Sequence, residues 1–166
     1  MDSIPRAPYH PTPEDVAKKM LKEVDLKQDE ILFDLGCGEG NILLVGAREF
    51  KARCVGIEIN PLLAKRAEER VKKEGLEELV TIICDDIFSP RFWAHLGHEN
   101  EKPYAVRNCD VLALYLSYEM YPNLAPLLEK ELKQGTRVVS YEFYIRGWTE
   151  IKDVPRIFIY EVGRSY

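Results

Sequence analysis

The chain has no CxxC pair, no long apolar run and no surplus of basic residues. Its four cysteines, Cys37, Cys54, Cys84 and Cys109, stand 17, 30 and 25 residues apart. That spacing excludes a zinc ribbon and leaves four thiols acting as small, partly buried hydrophobes in a reducing compartment. The longest apolar stretch, Val111 to Leu116, falls far below the ~18 residues a membrane helix needs. A signal peptide is also missing: Asp2 stands where a basic residue would be, and Pro5, Pro8, Pro11 and Pro13 interrupt any apolar run. A cytoplasmic protein with no membrane partner is expected. Lys plus Arg is 23 against 28 for Asp plus Glu, a formal net charge of -5. Such a chain lacks the basic surface needed to wrap nucleic acid non-specifically. What remains, 166 residues of which 46% are hydrophobic and 31% charged, fits one soluble domain spanning 1–166.

Residues 1–13 are too rich in proline for a helix. Thr12 is placed to cap a first helix, with Pro13 at its first position and Glu14 and Asp15 at its positive end. This helix is expected to run to about Val24. A strand over 31–35, a helix over 41–50, a strand over 53–59 and a helix over 61–74 follow. Asn60 caps the last of these and Gly75 closes it. Further strands are expected at 80–84, 111–116 and 136–143, with a helix over 124–132. Strand–helix alternation of this kind indicates an α/β, doubly wound, mainly parallel Rossmann-like sheet. Ile151 to Val154 and Arg156 to Val162 have no helix between them and predict closing strands at the sheet edge, at least one antiparallel. The long segment from Ser89 to Asn108 holds one short helix over 90–96.

The strongest signal is Asp34-Leu35-Gly36-Cys37-Gly38-Glu39-Gly40, between a strand and a helix. Glycines let the chain turn sharply and let a ligand lie against bare backbone. An acid ahead of them repels a pyrophosphate but attracts an ammonium or sulfonium, which favours S-adenosylmethionine over a dinucleotide. Glu58 ends the second strand, where a carboxylate can accept both ribose hydroxyls of a nucleoside. Asp85-Asp86-Ile87 ends the third strand, where a carboxylate can accept from an adenine amino group while Ile87 packs on the base. All three lie at carboxyl ends of strands, where open α/β sheets bind ligands.

These features resemble the class I, seven-strand S-adenosylmethionine-dependent methyltransferases. The resemblance is closer still to the small archaeal broad-specificity protein lysine methyltransferases and their mitochondrial lysine-methylating relatives. It covers nearly the whole chain and rests on Pro8-Tyr9-His10-Pro11-Thr12-Pro13, the 34–40 loop, Gly56-Ile57-Glu58 and the stretch from Leu128 to Trp148. It implies that Asp34, Gly36 and Gly38 hold the methionine end, Glu58 the ribose and Asp86, in preference to Asp85, the adenine. Tyr9 and Thr12 fold over the cofactor as part of a lid formed by 1–13, compatibly with capping by Thr12. Cys37, Ile59, Ile87 and Leu114 join the cofactor-binding set. Tyr141 stands where relatives often have histidine, and the 89–108 loop is longer than in the small archaeal members.

Methyl transfer to lysine needs a neutral amine, so a dry aromatic channel with a nearby acid would help. Candidates follow the fourth and fifth strands: Tyr115, Ser117, Tyr118, Glu119, Tyr141, Glu142 and Trp148. Of these, Glu142, Tyr115 and Ser117 form the expected catalytic set, with Glu142 as the acid. His95 and His98 read as a surface pair, since no third metal ligand is near, and the charges from Lys65 to Lys73 as a solvated helix face. The expected partners are proteins presenting lysines, acted on by a monomer. A methyltransferase for RNA or a small molecule and a non-catalytic adenosyl-binding module are the alternatives. Leu114-Tyr115-Leu116-Ser117 replaces the NPPY-like motif of base amino-group methylation.

Overall fold

A computed structural model describes residues 8–96 and 105–166. Residues 1–7 of the expected lid, the middle of the long loop and His98 lie outside the described residues. The element order is α1 (Glu14–Glu23), β1 (Ile31–Leu35), α2 (Asn41–Phe50), β2 (Arg53–Glu58), α3 (Pro61–Lys73), β3 (Val80–Cys84), α4 (Pro90–Leu96), β4 (Val111–Leu114), α5 (Tyr121–Glu131), β5 (Arg137–Tyr141), β6 (Lys152–Val154) and β7 (Ile157–Glu161). Short 3₁₀ turns at Val106–Asn108 and Tyr118–Met120 precede β4 and α5.

The strands form one sheet in the order β3-β2-β1-β4-β5-β7-β6. From β3 through β5 all pairings are parallel, while β7 runs antiparallel between β5 and β6. The expected doubly wound sheet with an antiparallel edge is therefore present. Alternation along each strand splits the core in two. Phe33, Leu35, Leu112 and Leu114 face α4 and α5 through Phe92, Trp93, Leu124 and Leu128. Leu32, Cys54, Val111 and Val139 face the other way, onto Met20 and Leu21 of α1, Leu43 and Leu44 of α2 and Val71 of α3.

Several boundaries differ from expectation. Pro13, not Thr12, occupies the cap position of α1, and the Thr12 side chain makes no capping bond. The strand expected over 111–116 ends at Leu114, because a 3₁₀ turn begins at Tyr118. Helix α5 begins at Tyr121, ahead of the expected Leu124, since Pro122 sits in the first turn where its missing N–H has no partner to lose. Cys37, Cys54 and Cys109 are buried as expected, but Cys84 is exposed.

One close approach fixes the sheet against α2. A methyl group at Gly56 in β2 would collide with Leu43 and come within 2.7 Å of Cys37 Sγ, both buried. Gly56→Ala is expected to cost about 1–3 kcal/mol by overpacking, read as a lower denaturant midpoint at unchanged slope.

Candidate active site

The β1–α2 loop gathers the site. After Leu35 the backbone turns through left-handed conformations at Gly36 and Gly38, with φ of 82° and 56°, where side chains are disfavoured. The amides of Gly36 and Cys37 both donate to the Ile57 carbonyl, at 2.8 and 2.9 Å, tying the loop to the end of β2. Space is as tight as the torsions. A Cβ at Gly36 would lie 2.5 Å from Leu116 Cδ2, and one at Gly38 2.6 Å from the ring of Tyr9. The segment before α1 thus lies directly over the loop.

Glu58, at the end of β2, holds the loop from the other side. Its Oε2 accepts from the Gly38 amide at 2.7 Å and its Oε1 from the Asn60 amide at 3.0 Å. Each carboxylate oxygen keeps a further lone pair for a ligand. Asp34 is only 2% exposed, yet it lies on the wall of the cleft. Burial, and then the charge of Glu58, push its carboxyl from an ordinary 3.8 up to about 8. No side chain or amide among the described residues donates to it. A buried acid of this kind, left without a partner on a cleft wall, fits a ligand that brings a positive charge. The Cys37 thiol is raised well above its ordinary range by the same burial, which leaves it unreactive.

These groups line a cleft of about 640 Å³ at the carboxyl ends of the parallel strands, the position at which such sheets take ligands. Tyr9, Thr12, Asp34, Gly36, Cys37, Gly38, Glu58, Ile59, Asp85, Asp86 and Ile87 all border it. Ile59 is 46% exposed there, an unusual position for isoleucine that suits packing on a planar ligand. Asp85 Oδ1 accepts from the Asp86 amide at 2.7 Å, and Asp86 Oδ1 from the Phe88 amide at 2.9 Å. Both carboxylates are thereby oriented at the rim. Leu114 is different. It is wholly buried in the core and is not on the wall; Leu116, beyond the strand end, forms the wall there.

Tyr115, Ser117, Met120, Glu142 and Phe143 also line the cleft. Tyr115 meets Tyr141 edge-on at 5.0 Å, and Ser117 Oγ donates to Glu119 at 3.1 Å. Tyr118, Glu119, Tyr141 and Trp148 do not line the cleft. Trp148 is buried against Tyr160 and donates its indole N–H to Glu129 at 2.8 Å, a packing role. The three expected catalytic residues therefore line the same cleft as Asp34.

Some participants escaped the sequence reading. Asn41, at the start of α2, donates to the Thr12 carbonyl at 2.7 Å, and Arg70 of α3 bonds both Asn41 and the Glu39 carbonyl. Arg70 thus pins the glycine loop and the 8–13 segment together, and does not belong to a merely solvated helix face. Its charge at helical spacing looked like its neighbours'. Phe143 and Met120 were missed because they are apolar residues, whose type alone does not separate a cleft wall from the core. No cluster of three or more His, Cys, Asp or Glu suited to a metal ion occurs among the described residues, and none of the described helices is long and apolar enough to cross a membrane.

Comparison with known proteins gives a consistent answer. A protein-lysine N-methyltransferase of Saccharolobus islandicus is 37% identical over 95% of this chain and 89% of its own. An adenine nucleotide translocase lysine N-methyltransferase of Mus musculus is 25% identical over 81% of this chain, and the match spans 54% of that longer protein. Among solved structures, an RNA methyltransferase of Salinibacter ruber in complex with S-adenosyl-L-homocysteine superposes with a TM-score of 0.80. It is 30% identical, and the match covers 95% of this chain and 96% of that one. The model of the ANTKMT methyltransferase domain matches residues 34–152, from the acid of the glycine loop to the first residue of β6. With the glycine loop, most of the sheet and most of the cleft wall falling inside that match, the chain belongs to the ANTKMT methyltransferase family.

Proposed function

We propose that this chain is a protein-lysine N-methyltransferase of broad specificity that uses S-adenosylmethionine. The observation that carries the reading is one cleft lined both by a buried acid suited to a cation, Asp34, and by a second acid, Glu142, together with the aromatics Tyr115 and Phe143. Asp34, Gly36 and Gly38 would hold the methionine end, Glu58 the ribose and Asp86 the adenine, with Ile59 and Ile87 against the base and Tyr9 and Thr12 over it. When bound, that group supplies an electrophilic methyl on a positively charged sulfur. The chain's own residues supply placement. Tyr115 and Phe143 narrow the entry and exclude water, and Glu142 accepts a proton from the incoming ammonium, leaving the neutral amine required for attack. Ser117, lining the same cleft, offers the amine a second polar group.

The choice of lysine is supported by the relatives named for that activity and by a net charge of -5, which favours cationic partners over nucleic acid. The segments after β4 and β5 that line the cleft are short, which supports broad specificity, because such loops select a substrate only loosely. The same reading makes the protein a cytoplasmic monomer. The RNA methyltransferase of similar fold favours a second reading, in which the acceptor is RNA. Incubation with methyl-labelled cofactor and mixed cell proteins and RNA, with and without nuclease, separates the two. Label is expected on protein lysines and unaffected by nuclease. Label lost on nuclease treatment overturns the proposal in favour of RNA. Cofactor binding with no transfer would indicate a binding module.

A further inference from the structure

The acid on the substrate wall is held from behind. Glu142, directly after β5, and Arg156, directly before β7, both take left-handed torsions, with φ of 66° and 65°. Neither residue is glycine or asparagine, so two adjacent side chains adopt a conformation that each disfavours alone. The Glu142 amide donates to the Arg156 carbonyl at 2.8 Å, extending the β5–β7 ladder beyond its last pair, Tyr141 with Ile157. The Arg156 guanidinium then pairs with Glu142 Oε1 through one nitrogen and lies 5.4 Å from the centre of the Tyr141 ring. Arg156 is 67% exposed along its side chain and does not itself line the cleft, whereas Glu142 does.

We propose that Arg156 is a positioning residue for Glu142: from outside the cleft it grips Oε1 and so presents Oε2 to the substrate amine. This rests on the reading of Glu142 as the proton acceptor. The carboxylate needs such a grip because its chain end is otherwise free to rotate out to solvent, being 28% exposed. Tyr141 steadies the guanidinium by stacking, and Tyr141 in turn packs on Tyr115 of the cleft wall. The clamp therefore runs continuously from the hairpin tip to the substrate wall. Arginine suits the task because it stays charged and can stack while it donates.

The test is a double-mutant cycle on the full chain, with Arg156→Ala, Glu142→Gln and the pair, reading kcat and KM for a lysine-bearing protein and the Kd of S-adenosylhomocysteine. Arg156→Ala is expected to lower kcat about three- to tenfold with little change in KM or in Kd, and Arg156→Lys to recover part of the loss. In the Glu142→Gln background the same substitution should have no further effect. An equal loss in both backgrounds would show that Arg156 acts only on structure and overturns the inference. So would a silent Arg156→Ala beside an impaired Glu142→Gln. If Glu142→Gln is itself as active as the parent, the proton-acceptor reading fails instead.

Discussion

Asp34→Asn is expected to yield a protein more resistant to denaturant at pH 8.5 than the parent, yet far weaker in binding S-adenosylmethionine. The two effects have one cause. In the unfolded chain this carboxyl ionises near 3.8, whereas in the fold burial and Glu58 hold its proton until about 8. Between those values the folded state binds the extra proton, so stability falls as pH rises and the full penalty is reached above about 8. A displacement of that size corresponds to about 6 kcal/mol. Asparagine carries no such charge, so parent and variant should match near pH 4 and diverge progressively towards pH 8.5. Urea melts at several pH values read this directly. Parallel stability curves from pH 4 to 9 would show that Asp34 is not destabilised by its burial. The same substitution removes the partner of the ligand's cationic end, and losing one member of a buried pair costs about 3–5 kcal/mol. Titration calorimetry should register roughly two to four orders of magnitude in Kd.

Glu58→Ala should move stability in the opposite direction. This carboxylate accepts from two backbone amides, those of Gly38 and Asn60. Bonds to a charged acceptor contribute about 1.5–3 kcal/mol each. At pH 7 Asp34 still holds its proton, so little repulsion is relieved, and the net destabilisation is about 3–6 kcal/mol. With Glu58 absent the Gly38 amide loses its anchor, and cofactor affinity should fall at least a hundredfold. Two acids on one wall would thus respond to neutralisation with opposite signs, which separates a carboxylate kept for its ligand from one that also holds the loop. Equal destabilisation in both variants would contradict this division.

The parallel half of the sheet was legible because its strands are apolar runs, most of them closed by glycine or acid; the apolar run of β4 continues into Tyr115 and Leu116, and its end was misplaced. The Asp34–Gly40 loop, Glu58 and the Asp85–Ile87 turn were legible for the same reason: they stand at strand ends, where the pattern breaks. Asn60 caps α3 as its position implied, accepting from the Leu62 amide at 3.0 Å. What the chain concealed are contacts that cross between elements. Arg70 resembles any exposed basic residue of α3 until Glu39 and Asn41 are brought beneath it. Arg156 lies 14 residues from Glu142, and only the hairpin's return makes them neighbours. Leu114 and Leu116 share composition and spacing, but the end of β4 between them buries the first and leaves the second on the cleft wall.

Strand order also bears on how the protein behaves at high concentration. Ile157–Glu161 carries Ile, Phe, Ile and Tyr in succession, the kind of segment that recruits copies of itself when its backbone is open. Because the chain folds back, this segment lies inside the sheet, and the boundary falls to Lys152–Val154, a strand of three residues with two charged and exposed side chains. A short charged border offers an incoming strand little to pair with and repels it by its lysine. The hairpin thus acts as a guard against self-association at this edge, while Arg156 at its tip pairs with Glu142.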